Sequence, residues 1–440
     1  MTRKSRVPIV AIVGRANVGK SSFFNAAIKK REAITANEPG TTRDRLTGKV
    51  SYKGQDFWLV DTAGVKNPED EFEATIQEQI NEASESADVI LMMIEADAAI
   101  NDDDRRLAKS MLKTKKPVML IVNKTDRVKN PEREYYKKFG ISDISLISVT
   151  QTKGISEVLD RIVNIIPKAS IKISKNRLTL AILGRPNAGK SALFNALGKK
   201  QQAIVASKAG TTRDINRSLV RYEKRQIEIL DTAGIRRSGK IKRGVEQFSV
   251  MRSLAAIEEA DICILLMDVN ELNVQLDQKI AGMIKEAGKG LVLAVSKWDI
   301  AEGKDAYTRD LLAPQIAHDF AFVPWAPLIF TSSVTGRNVS KIFELALDID
   351  KNRQTKIKTT QLNKWLQAIS AKHPPAGLKN RTPKLHYIVG EEDNPNPTFK
   401  VYGADTKFLH WSYKRFMEKE LRRAFGFLGT PIKFWFFDRK

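Results

Sequence analysis

The octapeptide GRANVGKS occupies residues 14–21, and a near copy, GRPNAGKS, occupies residues 184–191. Both fit the pattern Gly-x-x-x-x-Gly-Lys-Ser, and each follows an apolar run, VPIVAIV before Gly14 and LTLAIL before Gly184. A buried strand, a glycine-rich turn and a following helix N-terminus together form a phosphate-binding loop. One such octapeptide can be an ordinary surface turn. Two copies in the same context predict two nucleotide-phosphate sites.

The apolar runs around the two loops predict the fold class. They fall at 7–13, 57–60, 89–94, 118–122 and 144–149, and again at 178–183, 227–230, 262–267, 291–295 and 328–331. Runs without polar alternation are typical of parallel strands covered on both faces. Helical patterns such as 71–86 and 155–166 lie between them. We therefore predict an α/β protein with two tandem, doubly wound, mostly parallel sheets.

The chain changes character near residue 352. From there the helical and strand-like patterns follow the order α-β-β-α-β, which predicts a small α+β domain. The segment PKASIKISKN lacks apolar periodicity, and we interpret it as a linker. The predicted division is a first α/β domain at 1–166, the linker at 167–176, a second α/β domain at 177–351 and the small domain at 352–440.

Charge and composition restrict the partners. The net charge is +23, and residues 352–440 carry 18 lysines and arginines against seven acidic residues, a net charge of +11. A field of this sign favours polyanions such as RNA, although a solvated basic surface is the alternative. No apolar run approaches the roughly 18 residues of a membrane span. The single cysteine, Cys263, excludes an internal disulfide, so we expect a cytoplasmic protein. We also expect the chain to be a monomer.

Three repeated motifs supply the chemistry of a phosphate and metal site. Lys20 and Lys190 are expected to reach the β- and γ-phosphates, and Ser21 and Ser191 to bind Mg²⁺. The sequence DTAG follows a strand at 61–64 and at 231–234, 47 residues after the first loop glycine in both copies. Its carboxylates, Asp61 and Asp231, are expected to hold Mg²⁺, and Gly64 and Gly234 to offer an N–H to the γ-phosphate. Within GTTRD, at 40–44 and 210–214, the residues Thr42 and Thr212 are expected to be further Mg²⁺ ligands.

Two later motifs indicate guanine. NKTD occupies 123–126 and SKWD occupies 296–299. Because an aspartate can accept hydrogen bonds from both N1–H and the exocyclic amine of guanine, Asp126 and Asp299 select this base over adenine. Ser148-Val149 and Ser332-Ser333 follow the last strand of each copy. Ser296 replaces an asparagine and is expected to shorten the hydrogen-bond reach to the base and to the phosphate loop. The effect on the affinity of the second site stays open, and we expect the two sites to be unequal.

These motifs together resemble the bacterial double-GTPase family called Der or EngA, over essentially the whole chain. The resemblance implies two P-loop G domains, a KH-like third domain, GTP and GDP as ligands with Mg²⁺, and a role with ribosomal RNA in assembly of the large ribosomal subunit. The expected nucleotide contacts of the first copy are Gly14, Arg15, Asn17, Val18, Gly19, Lys20, Ser21, Ser22, Asp61, Asn123, Lys124, Asp126, Ser148 and Val149. Those of the second copy are Gly184, Arg185, Asn187, Ala188, Gly189, Lys190, Ser191, Ala192, Asp231, Ser296, Lys297, Asp299, Ser332 and Ser333.

The residues after DTAG bear on catalysis. Ras-like proteins carry there a glutamine that orients the attacking water, whereas this chain has Val65 and Ile235. Asn17 and Asn187 match the asparagine with which the family holds K⁺, a cation that would supply charge in place of an arginine finger. Alternatively, the two asparagines only brace their loops. The expected catalytic residues are Asn17, Lys20, Thr42, Gly64, Asn187, Lys190, Thr212 and Gly234.

Several alternatives stay open. The chain could be a GTP-binding scaffold with negligible turnover, or a tRNA-modifying or membrane-associated GTPase, although it has neither a lipidation signal nor a further catalytic cysteine. In the small domain, aromatic residues either contact RNA or form the core. They are Trp365, Tyr387, Trp411, Tyr413 and Trp435. The sequence GFLG at 426–429 spells a KH-type Gly-x-x-Gly, but its place between a helix and a strand favours a plain turn.

Overall fold

The computed structural model of the chain describes residues 3–5, 7–29, 47–61, 87–166, 170–172, 177–199, 216–223, 225–231, 250–272, 275–301, 306–378, 381–392 and 394–438. These residues form two six-stranded sheets, one three-stranded sheet and one two-stranded sheet. None of the helices in this described part of the chain is long and apolar enough to cross a lipid bilayer.

The first six-stranded sheet carries the first phosphate loop. Its strands are β2 (Ile9–Val13), β3 (Thr47–Tyr52), β4 (Gln55–Asp61), β5 (Val89–Glu95), β6 (Val118–Asn123) and β7 (Ile144–Leu146). They lie in the order β3-β4-β2-β5-β6-β7. The pair β3–β4 is antiparallel, and the other four pairs are parallel. Its described helices are α1 (Lys20–Lys29), α2 (Asp102–Leu112), α3 (Arg133–Tyr136) and α4 (Ile155–Ile165).

Helices cover both faces of this sheet, which explains the continuous apolar runs. Val10 and Ile12 of β2 belong to a buried cluster with residues of α1 and α4. Ile9 and Ala11 of the same strand belong to a cluster on the opposite face, which includes Leu107 of α2. Each fully buried aliphatic side chain of this kind contributes roughly 1.5–3 kcal/mol to stability.

The second six-stranded sheet repeats this plan. Its strands are β9 (Arg177–Leu183), β10 (Asn216–Tyr222), β11 (Arg225–Asp231), β12 (Ile262–Asp268), β13 (Gly290–Ser296) and β14 (Leu328–Phe330), in the order β10-β11-β9-β12-β13-β14. Its described helices are α5 (Lys190–Lys199), α6 (Val250–Glu259), α7 (Gln275–Glu286), α8 (Ala306–Asp319) and α9 (Lys341–Gln354). The predicted fold class is confirmed.

Each six-stranded sheet also has an antiparallel edge strand, β3 or β10, that the apolar runs did not predict. The sequence of β3, TGKVSY, mixes polar and small residues, and its side chains alternate between buried and partly exposed for the first four positions. An edge strand next to solvent does not need a continuous apolar run. A search for such runs therefore misses it.

The third unit confirms the predicted α-β-β-α-β order. It consists of α10 (Thr359–Lys372), β15 (Lys384–Gly390), β16 (Thr398–Ala404), α11 (Trp411–Phe425) and β17 (Lys433–Asp438). The pair β15–β16 is antiparallel and the pair β16–β17 is parallel. Residues of α10 and α11 pack with one face of this sheet in a single apolar cluster.

A short strand interrupts the segment predicted as a linker. Residues Ser170–Lys172 form β8, which pairs antiparallel with β1 (Arg3–Ser5). Such a pairing leaves no periodic signal, because three residues are too few for one and the partner strand lies far away in the sequence. The domain boundaries stay predictions.

Specific hydrogen bonds join the three units. Trp58 Nε1 on β4 donates to Glu258 Oε1 on α6 at 2.7 Å, and both side chains are buried. The backbone N–H of Gly429 donates to the carbonyl of Trp325 at 2.7 Å, and the Gly429 carbonyl accepts from the N–H of Leu291 on β13 at 2.9 Å. The GFLG segment is thus a turn, as its position between a helix and a strand predicts, and it docks against the second six-stranded unit.

We expect Gly429→Ala to destabilise the chain more than Gly426→Ala. Both glycines have positive φ, +72° and +87°, so alanine costs about 1–2 kcal/mol at either position. A Cβ at Gly429 would also lie 2.2 Å from Cγ1 of the buried Ile349, whereas a Cβ at Gly426 meets nothing within 4 Å. This overpacking adds roughly 1–3 kcal/mol. Urea unfolding of both variants measures the difference, and equal midpoints would contradict the docked position of the turn.

Candidate functional site

The first phosphate loop joins the end of β2 to the start of α1, at the carboxyl edge of the first sheet. Gly14, Asn17 and Gly19 have φ values of +151°, +65° and +96°. A Cβ on Gly14 would lie 2.4 Å from the backbone oxygen of Met93 on β5. Glycine is therefore required where the loop passes the sheet. The loop lies before a helix N-terminus, which is the arrangement that binds phosphate.

Lys20, the first residue of α1, is buried within the loop. Its Nζ donates to the backbone oxygen of Gly14 at 2.8 Å and to that of Arg15. Burial lowers the pKa of Lys20, while the charge of Asp61 acts in the opposite direction. The ammonium group therefore has little water around it, and a phosphate would gain a strong charge-assisted hydrogen bond there.

The predicted Mg²⁺ ligands Ser21 and Asp61 lie together. Ser21 Oγ donates to Asp61 Oδ2 at 2.7 Å, and Asp61 is fully buried at the end of β4. One hydroxyl and one carboxylate form the all-oxygen donor set that Mg²⁺ prefers, so these residues fit the metal. The segments 40–44, 62–65, 210–214 and 232–235 lie outside the described residues, and with them Thr42, Gly64, Thr212 and Gly234.

Asn123 connects the base-binding motif to the phosphate loop. Its Nδ2 donates to the backbone oxygen of Val18 at 2.9 Å, and its Oδ1 accepts from the N–H of Val149 at 3.2 Å. A hydrogen bond from Ser148 lowers the pKa of the exposed Asp126, although desolvation opposes the shift. The structure thus brings together Asn123, Asp126, Ser148 and Val149 beside the loop.

The second loop repeats the geometry of the first. Gly184, Asn187 and Gly189 have φ values of +145°, +63° and +91°. A Cβ on Gly184 would lie 2.3 Å from the backbone oxygen of Leu266 on β12. Lys190 Nζ donates to the backbone oxygen of Arg185 at 2.6 Å. Ser191 and Ala192 follow Lys190 on α5, and the buried Asp231 ends β11, as Asp61 ends β4.

Ser296 corrects one expectation about the second site. Its Oγ donates to the backbone oxygen of Ala188 at 2.7 Å, so serine does reach the phosphate loop. A second backbone oxygen, that of Met267, lies 3.0 Å from the same Oγ. The serine is buried on β13, whose pairing with β12 brings it close enough. Within the described residues, the difference from Asn123 is that Ser296 makes no hydrogen bond to Ser332 or Ser333.

The glycines facing these two residues show the space that the serine leaves. A Cβ on Gly19 would lie 2.2 Å from Nδ2 of Asn123, whereas a Cβ on Gly189 would lie 3.9 Å from Oγ of Ser296. Asp299 nevertheless keeps a partner, because Ser332 Oγ donates to its Oδ1 at 2.6 Å. The two base-binding sides are alike at the aspartate and differ at the residue that begins each motif.

Carboxylates that the sequence analysis missed hold the first side chain of each loop. Arg15 Nε donates to Asp104 Oδ1 at 2.8 Å, and Arg185 Nε donates to Asp277 Oδ2 at 3.0 Å. Burial raises the pKa of Asp277 to about 6, against the effect of Arg185. Both carboxylates lie in the first turn of a helix, α2 or α7. The one signal for Asp104 and Asp277 in the sequence is that each is the third residue of the corresponding helix in its copy.

The lysines of the base motifs have similar partners. Lys124 pairs with Glu95 at the end of β5, and Lys297 Nζ lies 2.6 Å from Asp268 Oδ2 at the end of β12. Both lysines have positive φ, +63° and +57°. Each pair joins the base motif to the neighbouring strand end.

The aromatic residues of the third unit divide between core and surface. Trp365 and Tyr413 are buried in the core cluster. Tyr387 and Trp435 are partly exposed, and Trp411 is exposed on α11. Neither of the two alternatives, core or RNA contact, therefore applies to all five.

Comparison with known proteins identifies the family. The family described as "50S ribosome-binding GTPase" matches residues 9–124 and 179–297, and "KH-domain-like of EngA bacterial GTPase enzymes, C-terminal" matches residues 356–436. "GTPase Der" of Chloroflexus aggregans is 40% identical to this chain, and the match covers 98% of each of the two proteins. "GTPase Der" of Thermomicrobium roseum is 37% identical, with coverages of 99% and 96%. Since one GTPase family matches both loop-bearing sheets and these relatives are similar over nearly their full length, the chain belongs to the Der (EngA) family of double-domain GTPases.

Proposed function

We propose that this chain acts as a nucleotide-dependent switch in assembly of the large ribosomal subunit, with two sites that each bind and hydrolyse GTP. The proposal depends mainly on one observation: the same arrangement of phosphate loop, buried lysine and strand-end aspartate occurs at the carboxyl edges of two sheets. The third unit of the same chain is strongly basic. A family described as ribosome-binding supports the choice of partner. The domain boundaries 1–166, 167–176, 177–351 and 352–440 belong to this proposal, as do the cytoplasm as compartment and the monomeric state.

In each site, we assign phosphate binding to the loop and to its lysine. Backbone N–H groups at the start of α1 and of α5 face the loop, where they would bind phosphate oxygens. Lys20 and Lys190 would exchange their present carbonyl partners for the β- and γ-phosphates. Because both ammonium groups are buried, their attraction to the charge that develops on the leaving phosphate is strong.

We assign the Mg²⁺ ion to Ser21 and Asp61, and to Ser191 and Asp231. The ion would neutralise charge on the phosphate oxygens when it is bound. Thr42 and Thr212 are the proposed additional ligands, and the N–H groups of Gly64 and Gly234 are the proposed partners of the γ-phosphate. The hydrogen bond from Ser21 to Asp61 supports the metal site, because it already brings two ligand oxygens together.

We assign K⁺ to Asn17 and Asn187. K⁺ would supply positive charge beside the phosphates, which this chain needs because Val65 and Ile235 cannot orient water. Both asparagines have left-handed φ values, +65° and +63°, on the fourth residue of their loops. Asparagine adopts this conformation more readily than most residues, so it can combine the turn with an amide oxygen.

We assign guanine recognition to Asp126 and Asp299. Each aspartate accepts from a serine of the loop after the last strand, which fixes the carboxylate. The remaining contacts come from Asn123, Lys124, Ser148 and Val149 in the first site. In the second site they come from Ser296, Lys297, Ser332 and Ser333. The first site should bind more tightly, since Asn123 ties the phosphate loop to the base loop and Ser296 does not.

A reciprocal exchange tests this difference. We expect Asn123→Ser to weaken GDP binding in the first site about fivefold, the equivalent of one hydrogen bond of about 1 kcal/mol. Ser296→Asn should strengthen the second site by a similar factor, because the space beside Gly189 accepts the amide. Fluorescent GDP titrations, with the other site inactivated by Lys20→Ala or Lys190→Ala, measure both effects. A weaker second site in Ser296→Asn would contradict this explanation.

The potassium assignment is tested with Asn17→Gly and Asn187→Gly, alone and combined. Glycine keeps the positive φ and removes the amide oxygen. The native chain should hydrolyse GTP roughly tenfold or more faster in K⁺ than in Na⁺, and the double variant should lose this preference. A rate loss equal in both salts would indicate that the asparagines only brace the loops. Undetectable turnover of the native chain in both salts would favour a GTP-binding scaffold.

The ribosomal role is tested by co-sedimentation with isolated subunits. We expect the chain to sediment with the large subunit more strongly with a non-hydrolysable GTP analogue than with GDP, and the bound fraction to fall as salt rises. The small subunit is the matched control. Binding that does not depend on nucleotide, or that is equal for both subunits, would remove the switch from the proposal.

A further inference from the structure

The sheet of the third unit has one face that its own helices leave uncovered. Ile388, Phe399 and Val401 point to the core with α10 and α11. Because side chains alternate along a strand, the residues next to these three point to the other face. On that face Tyr387 pairs with Tyr402, and Tyr402 pairs with Phe437. None of these three aromatic residues belongs to the core cluster.

The three rings form a stacked row across the strands. The ring centroids of Tyr387 and Tyr402 are 4.6 Å apart with an angle of 13° between the planes, and those of Tyr402 and Phe437 are 5.3 Å apart with an angle of 24°. A cross-strand aromatic pair stabilises a sheet by roughly 0.2–1 kcal/mol, so stability of the sheet can account for the presence of one such pair. Phe437, however, is 36% exposed at the end of the row.

Lysines of the same face surround the row. Lys433 Nζ lies 4.1 Å from the ring centroid of Trp435, which is two residues before Phe437. Lys384 pairs with Ala404 and Lys400 pairs with Trp435. Both lysines therefore lie on the same face as the row. Lys400 also forms an ion pair with Glu391 at 3.1 Å, so its charge is partly compensated. Aromatic rings and lysines thus lie together on this face, within residues 352–440, whose net charge is +11.

We propose that this face is a stacking platform for single-stranded RNA, formed by Tyr387, Tyr402, Trp435 and Phe437 with Lys384, Lys400 and Lys433. The inference rests on the proposed ribosomal role and deepens it, because it names the form of RNA and the surface. Unpaired bases stack on aromatic side chains, while lysines attract the backbone phosphates. Base-paired RNA keeps its base faces inside the helix, so it cannot use the row.

The position of the GFLG turn favours the platform over a KH-type loop. Its glycine Gly429 is hydrogen-bonded to Trp325 and Leu291 of the second six-stranded unit, and Phe427 is buried. This turn therefore cannot clamp an RNA backbone while docked. Among the described residues, those of the aromatic row take no part in the two hydrogen bonds that dock this turn.

An acidic residue of the first six-stranded unit acts electrostatically on Lys433 of the platform. The charge of Lys433 helps to lower the pKa of Asp56 on β4, together with Lys49 and Ser51 and against the effect of desolvation. The negative charge of Asp56 therefore disfavours phosphate near Lys433. The RNA should therefore leave the row at the side of Tyr387 and Lys384.

The experiment uses the full chain and a fluorescein-labelled 12-nucleotide RNA, single-stranded or annealed to its complement, with anisotropy as the readout. We expect Tyr402→Leu and Phe437→Leu to weaken single-strand binding roughly 5- to 100-fold, the effect of losing one stacked base. Tyr402→Phe should retain affinity. Lys384→Gln should reduce the slope of log affinity against log salt by about 0.7, because Lys384 lies on the side where the RNA backbone should leave the row. Tyr135→Leu is the matched control, because Tyr135 is 46% exposed and carries Lys138 4.5 Å from its ring in another unit.

GTP hydrolysis and the melting temperature of each variant show whether it is folded. Native-like affinity in Tyr402→Leu and Phe437→Leu, or equal losses for single-stranded and duplex RNA, would overturn the platform. The same holds if the native chain binds no single-stranded RNA. None of these results decides the ribosomal role, since subunit co-sedimentation is measured separately. Loss of co-sedimentation with retained single-strand binding would overturn that role alone.

Discussion

Both sites depend on the close approach of one glycine to a neighbouring strand. Gly14 and Gly184 pass so near to Met93 and Leu266 that a single methyl group would collide with a backbone oxygen. This contact places the loop over the carboxyl edge of the sheet, and the following helix begins directly behind it. In the first site the buried lysine, the serine and the strand-end aspartate converge, because α1 begins at the loop and β4 pairs with β2, the strand that leads into the loop.

Around this contact, hydrogen bonds and ion pairs connect the polar groups of each site. Asn123 bonds both the phosphate loop and the loop after β7. Arg15 and Arg185 are held by carboxylates on α2 and α7, and Lys124 and Lys297 by carboxylates at the ends of β5 and β12. Since these partners are largely shielded from water, the loops are pre-organised for an anionic ligand.

The three units are connected through elements that also carry the sites. Trp58 lies on β4, the strand that ends at Asp61, and bonds Glu258 on α6. Removing either partner would leave a buried polar group unsatisfied, at a cost of roughly 1–3 kcal/mol. On the other side, the turn at Gly429 bonds the start of β13, the strand that ends at Ser296. A displacement of either strand therefore acts on a contact between units.

Local patterns predicted the parallel strands, the two loops and the base motifs, because one segment alone carries a long apolar run or a glycine-lysine spacing. They did not show the edge strands β3 and β10, because these carry no continuous apolar run. They also did not show the carboxylates Asp104 and Asp277 or the short pair β1–β8, because their partners lie far away in the chain. The expectation of a shorter reach was wrong for the phosphate loop alone, because the register of β12 and β13 brings Ser296 to Ala188. Likewise, only the pairing of three strands aligned Tyr387, Tyr402 and Phe437, because stacking is a property of register and not of composition.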